Sequence, residues 1–326
     1  AIYGSRATNG VVIITTKGGQ EDQPLRVNYQ GKVSLNQRTD EIDVLNADEF
    51  SEMIRNKFPG RDTLLGNENT DWQEEIFRPA ISQHHNLSVS GSYASLPFRV
   101  SLGYSDEQGI LKTSNLDRTT MSLKLTPTFF DDHLNVDFSV KGVQVNNRFA
   151  DEGAINTAVQ FDPTKPVRDE NSPYGGYYTW TQANGNPITI APSNPLALLK
   201  QREDESTVYR AIGNLKLDYQ LHFFPDLRAT LNLGYDYSDS EGTNLIHRDA
   251  SWEYNTQPQI SSGSRTDYTQ EKKHEMLDFY LHYNKDLPSV SSNLKVMGGY
   301  SYEHFWQEDF EKAMSLTPQQ DSVEIE

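Results

Sequence analysis

Apolar and polar residues alternate through most of this chain, and the alternating segments are separated by gaps that are short and long in turn. Within each segment every second residue is aliphatic or aromatic, which is typical of a β-strand with two different faces. The short gaps predict tight turns at one end of the strands, and the long gaps predict loops at the other end. The segments are residues 25–35, 86–93, 98–105, 119–129, 134–145, 211–223, 227–237, 275–284 and 293–305.

This rhythm predicts an all-β fold, namely a transmembrane antiparallel β-barrel of which roughly nine strands are visible. Each segment is close to the length that crosses a bilayer when tilted, about 9–11 residues. Aromatic residues near the segment ends match an interfacial girdle, and tight turns in such barrels are periplasmic while long loops are outside. Residues 38–85, 146–210 and 238–274 are therefore predicted to be extracellular loops.

The first of these loops is predicted to contain two helices. Asn46 precedes residues 47–57 and Glu49 follows it by three positions, which is the spacing of a capping box. A second short helix is predicted to begin at Thr70 or Asp71 and to end at Phe77, shortly before a proline. The first helix also carries one apolar stripe, formed by Phe50, Met53, Ile54 and Phe58.

Composition and charge restrict the function further. The 326 residues carry a formal net charge of −17, and nucleic-acid binding is excluded because it requires clustered Lys and Arg against phosphate. The chain has no cysteine, which excludes disulfides, thiolate metal sites and cysteine nucleophiles. A hydrophobic share of 35% suits a wide barrel, because only its lipid-facing side needs to be apolar.

The most specific motif lies at the start of the chain, where residues 1–19 read AIYGSRATNGVVIITTKGG. This run resembles the end of the plug domain of SusC/RagA-family TonB-dependent outer-membrane transporters. Residues 70–91 resemble the family's first extracellular segment and second strand, and residues 101–111 resemble the following hairpin. The resemblance implies a structural role in the last plug strand for Tyr3, Gly4, Arg6, Asn9 and Gly10.

The resemblance implies a domain boundary near residue 20. Residues 1–20 would be the C-terminal end of the plug, and residues 21–326 the N-terminal part of a barrel of about 22 strands, with further protein expected on both sides. Family members reside in the bacterial outer membrane, in contact with its lipid. They import oligosaccharides or peptides with energy delivered by the TonB complex and act with a SusD-like surface lipoprotein. No enzymatic activity and no cofactor are expected.

The best candidate for ligand contact is the segment of residues 174–187, YGGYYTWTQANGNP. Aromatic rings on a loop beside glycine and asparagine suit the faces of sugars or the side chains of peptides. The alternative is that the loop packs on itself or on a partner protein. The candidate substrate-binding residues are Tyr174, Tyr177, Tyr178 and Trp180.

No metal site and no catalytic residue is predicted. His84 and His85 are adjacent in a predicted strand, so their side chains would point to opposite faces. Glu271 and His274 have a ligand-like spacing but flank two lysines, which favours a solvated charge run. The acidic residues at 236, 239 and 241 lack the spacing of a calcium loop.

Two other functions are compatible with the sequence. One is an outer-membrane barrel enzyme, although no nucleophile motif or acid–base pair is visible. The other is a soluble secreted β-sandwich that binds glycans, in which the apolar faces of two sheets would meet in a core.

Overall fold

The alternating segments pair into one antiparallel sheet in a computed structural model, which describes residues 17–19, 23–94, 96–255, 260–261, 263–317 and 320–325. The strands are β1 (Arg26–Asn36), β2 (Ala80–Tyr93), β3 (Leu96–Gln108), β4 (Asn115–Leu125), β5 (Thr128–Phe129), β6 (Leu134–Phe149), β7 (Arg202–Gln220), β8 (Leu227–Ile246), β9 (Tyr254–Asn255), β10 (Ile260–Ser261), β11 (Gly263–Leu287), β12 (Ser292–Thr317) and β13 (Gln320–Ile325). The four α-helices are α1 (Ala47–Lys57), α2 (Trp72–Ile76), α3 (Gly153–Gln160) and α4 (Pro195–Lys200).

Strands that follow one another along the chain lie side by side in the sheet, apart from the short strands β5, β9 and β10. The order is β1-β2-β3-β4-β6-β7-β8-β11-β12-β13, with β5 paired to β6, while β9 and β10 form a separate small hairpin. All of these pairs are antiparallel. This meander confirms the predicted fold class of a partial barrel wall.

The register gives the sheet one apolar face and one polar face. Side chains on the apolar face remain exposed: Met121 is 57% exposed and Tyr300 is 62% exposed. A β-sandwich would bury such a face against a second sheet. Two aligned apolar rows are Val89, Val100, Leu123 and Val140, and Phe138, Leu215, Leu233, Leu277 and Tyr302. On the polar face a comparable row is Ser88, Ser101, Ser122 and Lys141.

The strands β7, β8, β11 and β12 are much longer than the alternation predicted. The segment predicted at residues 275–284 is part of Gly263–Leu287, and the one at residues 293–305 is part of Ser292–Thr317. The predicted loops 38–85 and 146–210 shrink to residues 37–79 and 150–201, and most of the predicted loop 238–274 belongs to β8 and β11. The gap predicted over residues 106–118 is a hairpin of residues 109–114. Backbone pairing continues where both faces are polar, so the alternation ends before the strand does.

The tight turns that follow β2, β5, β7 and β11 lie at one edge of the sheet, which we call the turn edge, and the long connections lie at the other, the loop edge. The turn between β5 and β6 passes through three left-handed residues, Phe130, Asp131 and Asp132, with φ of 58°, 50° and 67°. Left-handed residues also occur in the turns after β2 and before β12, at Ala94 and Ser291. These conformations reverse the chain within a few residues.

Both predicted helices are present at the predicted places. In α1 the Asn46 side chain accepts hydrogen bonds from two backbone N–H groups and Glu49 bonds back to the Asn46 N–H, which completes the capping box. In α2 the N-cap is Asp71 rather than Thr70. Among the described residues, no helix is long and apolar enough to cross a bilayer.

The segment of residues 17–19 lies against the turn-edge ends of β2 and β3. A Cβ atom on Gly19 would stand 2.6 Å from the Phe98 carbonyl oxygen and 2.9 Å from that of Gly91, so only glycine fits this approach of backbone to backbone. The plug-motif residues Tyr3, Gly4, Arg6, Asn9 and Gly10 fall outside the described part of the chain, and their predicted role stays a prediction.

Candidate functional site

The connections at the loop edge fold together into a small helical unit, which we call the cap. It comprises residues 37–79, 109–114, 150–201 and 247–253. Its core forms where α2, α3 and α4 meet, and the Trp72 and Phe161 rings lie 4.5 Å apart between centroids. The buried core residues are Trp72, Ile76, Leu111, Ala154, Ala158, Phe161, Leu198 and Leu199.

Hydrogen bonds join the first connection of the cap, residues 37–79, to the third, residues 150–201. The Trp72 indole N–H donates to the Asp162 carbonyl oxygen at 3.0 Å, and the Thr70 hydroxyl donates to the Lys165 carbonyl oxygen at 2.6 Å. The Gly66 N–H donates to the Thr164 hydroxyl at 2.8 Å. A Cβ atom on Gly66 would overlap the Thr164 carbonyl group, so the two connections approach as closely as their backbones allow.

Asn194 ties the aromatic segment to α4. Its side-chain oxygen caps the helix by accepting from the N–H groups of Leu196 and Ala197, and Pro195 occupies the first helical turn. Its amide nitrogen donates to the carbonyl oxygens of Val167 and Tyr178, at 2.9 and 3.3 Å. One side chain therefore starts the helix and anchors the segment that carries the predicted site.

Two of the four candidate substrate-binding residues belong to the interior of the cap. Tyr174 is 6% exposed, and its hydroxyl donates to the Gly185 carbonyl oxygen at 3.0 Å. Tyr177 is 5% exposed and lies beneath the Arg168 guanidinium, which is 3.6 Å from the ring centroid and also donates to the Tyr177 hydroxyl. Burial raises the pKa of the Tyr177 hydroxyl, although Arg168 opposes the change.

The other two candidates, Tyr178 and Trp180, are partly exposed and contact each other edge to face, with centroids 5.6 Å apart. The Lys165 ammonium group lies over both rings, at 5.5 and 4.9 Å from their centroids, and donates to the Leu64 carbonyl oxygen at 2.5 Å. Burial, with smaller contributions from the carboxylates of Asp162 and Asp169, raises the pKa of Tyr178 to about 12. Burial lowers the pKa of Lys165.

Trp180 opens onto an apolar groove of about 400 Å³. One wall is formed by Phe50, Ile54 and Phe58, three of the four residues in the apolar stripe predicted for α1. The other wall is the segment that follows Trp180. Its polar groups, from Arg61, Gln160 and Asp162, are few, so the groove suits a ligand with flat or aliphatic surface and a few hydrogen-bonding groups. The apolar lining is Phe50, Ile54, Phe58, Leu64, Leu65, Trp180, Ile188, Ala191 and Pro192.

The two residue pairs considered as metal ligands, His84 with His85 and Glu271 with His274, have their members on opposite faces of the sheet. His84 lies on the polar face, where its Nδ1 is 3.7 Å from a Glu107 carboxylate oxygen, while His85 bonds the Tyr29 hydroxyl at 2.7 Å. Glu271 pairs with Lys273 at 2.7 Å on the apolar-face side, and His274 belongs to the opposite face.

The acidic residues at 236, 239 and 241 lie inside β8 instead of a loop, and Arg210 binds Asp236 with two nitrogens. Among the described residues, no group of three or more His, Cys, Asp or Glu side chains could hold a metal ion.

Sequence reasoning missed Lys165, Arg168 and Asn194. The sequence Asn-Pro before an apolar run is a readable helix start, so Asn194 could have been found. No sequence pattern marks Lys165 and Arg168, because the aromatic rings that they contact come close to them only when the cap folds.

Comparison with known proteins gives one consistent answer. No family model matches the chain. The TonB-dependent receptor SusC of Bacteroides thetaiotaomicron is 38% identical over 331 residues, which is 96% of this chain and 32% of that protein. The TonB-dependent receptor P3 of Formosa agariphila is 29% identical over 93% of this chain and 29% of its own length. The chain therefore spans about a third of the length of these relatives.

Among solved structures, the RagAB peptide importer in its closed-closed state matches with a TM-score of 0.70 at 17% identity, over 96% of this chain and 38% of that chain. This match shows the same fold. The matched proteins are receptors and an importer rather than enzymes, in agreement with the expectation from sequence.

Proposed function

This chain belongs to the SusC/RagA family of TonB-dependent outer-membrane transporters, and on that premise we propose that it forms part of the wall and mouth of a nutrient importer. The imported solute is an oligosaccharide or a peptide, and the energy is delivered by the TonB complex. A SusD-like surface lipoprotein is the partner at the mouth.

The observation that carries this proposal is the two-faced sheet. Its apolar face is exposed over the full width of the wall, and each Leu or Val left in water forgoes roughly 1.5–3 kcal/mol. Lipid removes that cost, while the opposite, polar face suits a hydrated lumen. The outer membrane is the compartment in which a sheet of this kind is stable.

The sidedness follows from the connections. We assign the turn edge to the periplasm and the loop edge, with its cap, to the cell exterior. Residues 1–20 form the end of the plug, and residues 21–326 form wall and cap. On this assignment Gly19 is the close contact at which the chain passes from plug to wall.

Solute contact is assigned to the exposed half of the aromatic segment. Trp180 presents its ring to the apolar groove, and Tyr178 stands beside it, whereas Tyr174 and Tyr177 stabilise the cap from inside. A flat ring next to aliphatic side chains suits either the face of a sugar or an apolar peptide side chain.

The test uses the full-length protein in its native outer membrane. Uptake of either an oligosaccharide or a peptide should require this protein and an intact TonB complex. Trp180→Ala should lower uptake at limiting solute and leave the amount of protein unchanged. Ile190→Ala is the matched control, because this side chain is 94% exposed and outside the groove.

Uptake that persists without TonB would contradict the import mechanism. Equal uptake by the Trp180 and Ile190 variants would contradict only the assignment of the contact residue.

A further inference from the structure

The polar face of the wall contains an open recess of about 1100 Å³ between β1 and β8. Four basic side chains line it, one each from β1, β4, β6 and β7, and His84 of β2 lies among them. No aspartate or glutamate belongs to its lining. In a chain with 46 acidic and 29 basic residues, this is a local reversal of charge. The four basic residues are Lys32, Arg118, Lys141 and Arg210.

Most of this positive charge is uncompensated. Arg210 is neutralised by Asp236, which lies just outside the recess. Within the described part of the chain, Lys32, Arg118 and Lys141 have no carboxylate partner, and their side chains are exposed. Elsewhere on the same face Lys124 and Arg228 are paired, with Asp137 and Asp218. The recess therefore gathers three cations without a carboxylate partner, and no acidic side chain belongs to its lining.

Strand register fixes how far apart these cations stand. Lys32 and Arg118 lie in one row, through His84 and Ser105, with three strand spacings between them. At about 4.8 Å per spacing this is about 14 Å. Lys141 pairs with Ser122, four residues from Arg118, which places it about 13 Å further toward the turn edge. Positive charge is thus distributed over an area, which suits several negative groups on one ligand.

The rest of the lining suits an oligomer as well. Between the cations stand uncharged hydrogen-bonding side chains and an aliphatic patch from β6 and β7. Hydroxyl and amide groups can bond sugar hydroxyls or peptide groups, while the patch can accept carbon–hydrogen surface of either. The hydrogen-bonding residues are Gln30, Asn86, Ser105, Thr120 and Ser238, and the patch residues are Val143, Val145, Val208 and Ile212.

We infer that this recess, the basic recess, binds the carboxylate groups of an anionic oligomer on its way through the lumen. The inference rests on the proposed function and narrows its substrate class to carboxylate-bearing oligomers. Attraction between opposite charges raises the concentration of such a ligand at the wall, and this attraction weakens as the salt concentration rises. The segment of residues 1–22, with two basic and two acidic residues, does not complement the recess.

The test compares Arg118→Gln/Lys141→Gln with Lys216→Gln in the purified full-length protein. Lys216 belongs to the same face but lies outside the basic recess. Titration calorimetry at 50 and 200 mM NaCl uses four probes: a uronic-acid tetramer, a neutral hexose tetramer, a glutamate-containing pentapeptide and its glutamine counterpart. Heat-modifiable migration confirms a folded barrel in each variant.

We expect at least one charged probe to bind ten-fold or more tightly than its neutral counterpart at low salt. The double variant should remove that advantage, whereas Lys216→Gln should keep it. Whether the uronate or the peptide shows the advantage distinguishes the two sources of the carboxylate. Equal binding of charged and neutral probes by the unmodified protein overturns the inference.

A second overturning result is an unchanged charge advantage in the double variant together with faster proteolysis of residues 1–20, because the cations would then seat the plug. TonB-dependent uptake of neutral oligomers without any charge advantage contradicts this inference and leaves the proposed function standing. Uptake that does not depend on TonB contradicts the proposed function. The calorimetry still tests the inference in that case, because it measures binding to the basic recess directly.

Discussion

The cap should lose several kcal/mol of local stability when one buried leucine is shortened. Leu199 is 1% exposed in the core between α2, α3 and α4. Leu199→Ala removes three carbon atoms, worth roughly 0.8 kcal/mol each in transfer, or about 2.4 kcal/mol together. The residual cavity adds to this, so a loss of about 3–4 kcal/mol is expected, within the range of about 2–5 kcal/mol for such substitutions.

Hydrogen exchange reports this loss directly. The amides of α3 exchange when the cap opens, and each 1.4 kcal/mol of lost stability speeds exchange about ten-fold. Full-length Leu199→Ala should therefore exchange these amides roughly 100- to 1,000-fold faster than the unmodified protein. The strands should keep their protection, because the substitution lies in the cap.

Ile190→Ala is the control, since Ile190 also belongs to the cap but is 94% exposed. Its effect should be below about 0.5 kcal/mol. If both variants exchange α3 at the same rate, the core around Leu199 does not hold the cap together and the reasoning is wrong. If exchange spreads equally into the strands, cap and sheet unfold as one unit and the cap has no local stability to measure.

Three further predictions concern the same cap. Gly66→Ala should cost about 1–3 kcal/mol by forcing the backbone away from Thr164, whereas Gly142→Ala, with open space around its Cβ, should be nearly neutral; thermal melting compares the two. Asn194→Ala should cost about 2–3 kcal/mol by removing a helix cap and two donated hydrogen bonds. Asn194→Asp keeps the capping oxygen but sets a buried carboxylate oxygen against the carbonyl oxygens of Val167 and Tyr178, so it should cost at least as much in the same melting assay. Burial raises the pKa of Glu253, so its charged form is unfavourable in the folded cap, and Glu253→Gln should be the more stable protein at pH 7. That advantage should vanish as the pH falls below the ordinary pKa of glutamate, which melting between pH 3 and 8 would show.

The strand pattern was readable because lipid and water impose different side chains on the two faces. Rows such as Val89, Val100 and Leu123 can be predicted because each of their strands alternates between apolar and polar residues. Strand length was not readable, because pairing depends on backbone groups that every residue carries. From Gly263 to Lys272 the pairing of β11 is complete although both faces are polar, and no sequence rule separates that segment from a loop.

The cap was predictable only in its local parts. Asn46 and Asp71 start helices through contacts within three residues, so their roles are visible in the sequence. The contact between residue 66 and residue 164 spans 98 positions and depends on how two connections meet. Tyr174 and Tyr178 look alike in sequence, and only this packing buries the first and leaves the second accessible.

On the proposed function, the length of β11 and β12 sets how far from the membrane a solute first contacts the protein. Lys273, beside the Tyr237 and Trp306 rings, marks the level of the aromatic girdle, and ten paired residues, Gly263 to Lys272, continue beyond it. At about 3.3 Å per residue this is about 33 Å along the strand, or about 25 Å of height at a tilt of about 40°. On the proposed function, the loop edge therefore stands well outside the membrane, and a solute contacts the wall there before it reaches the level of the lipid.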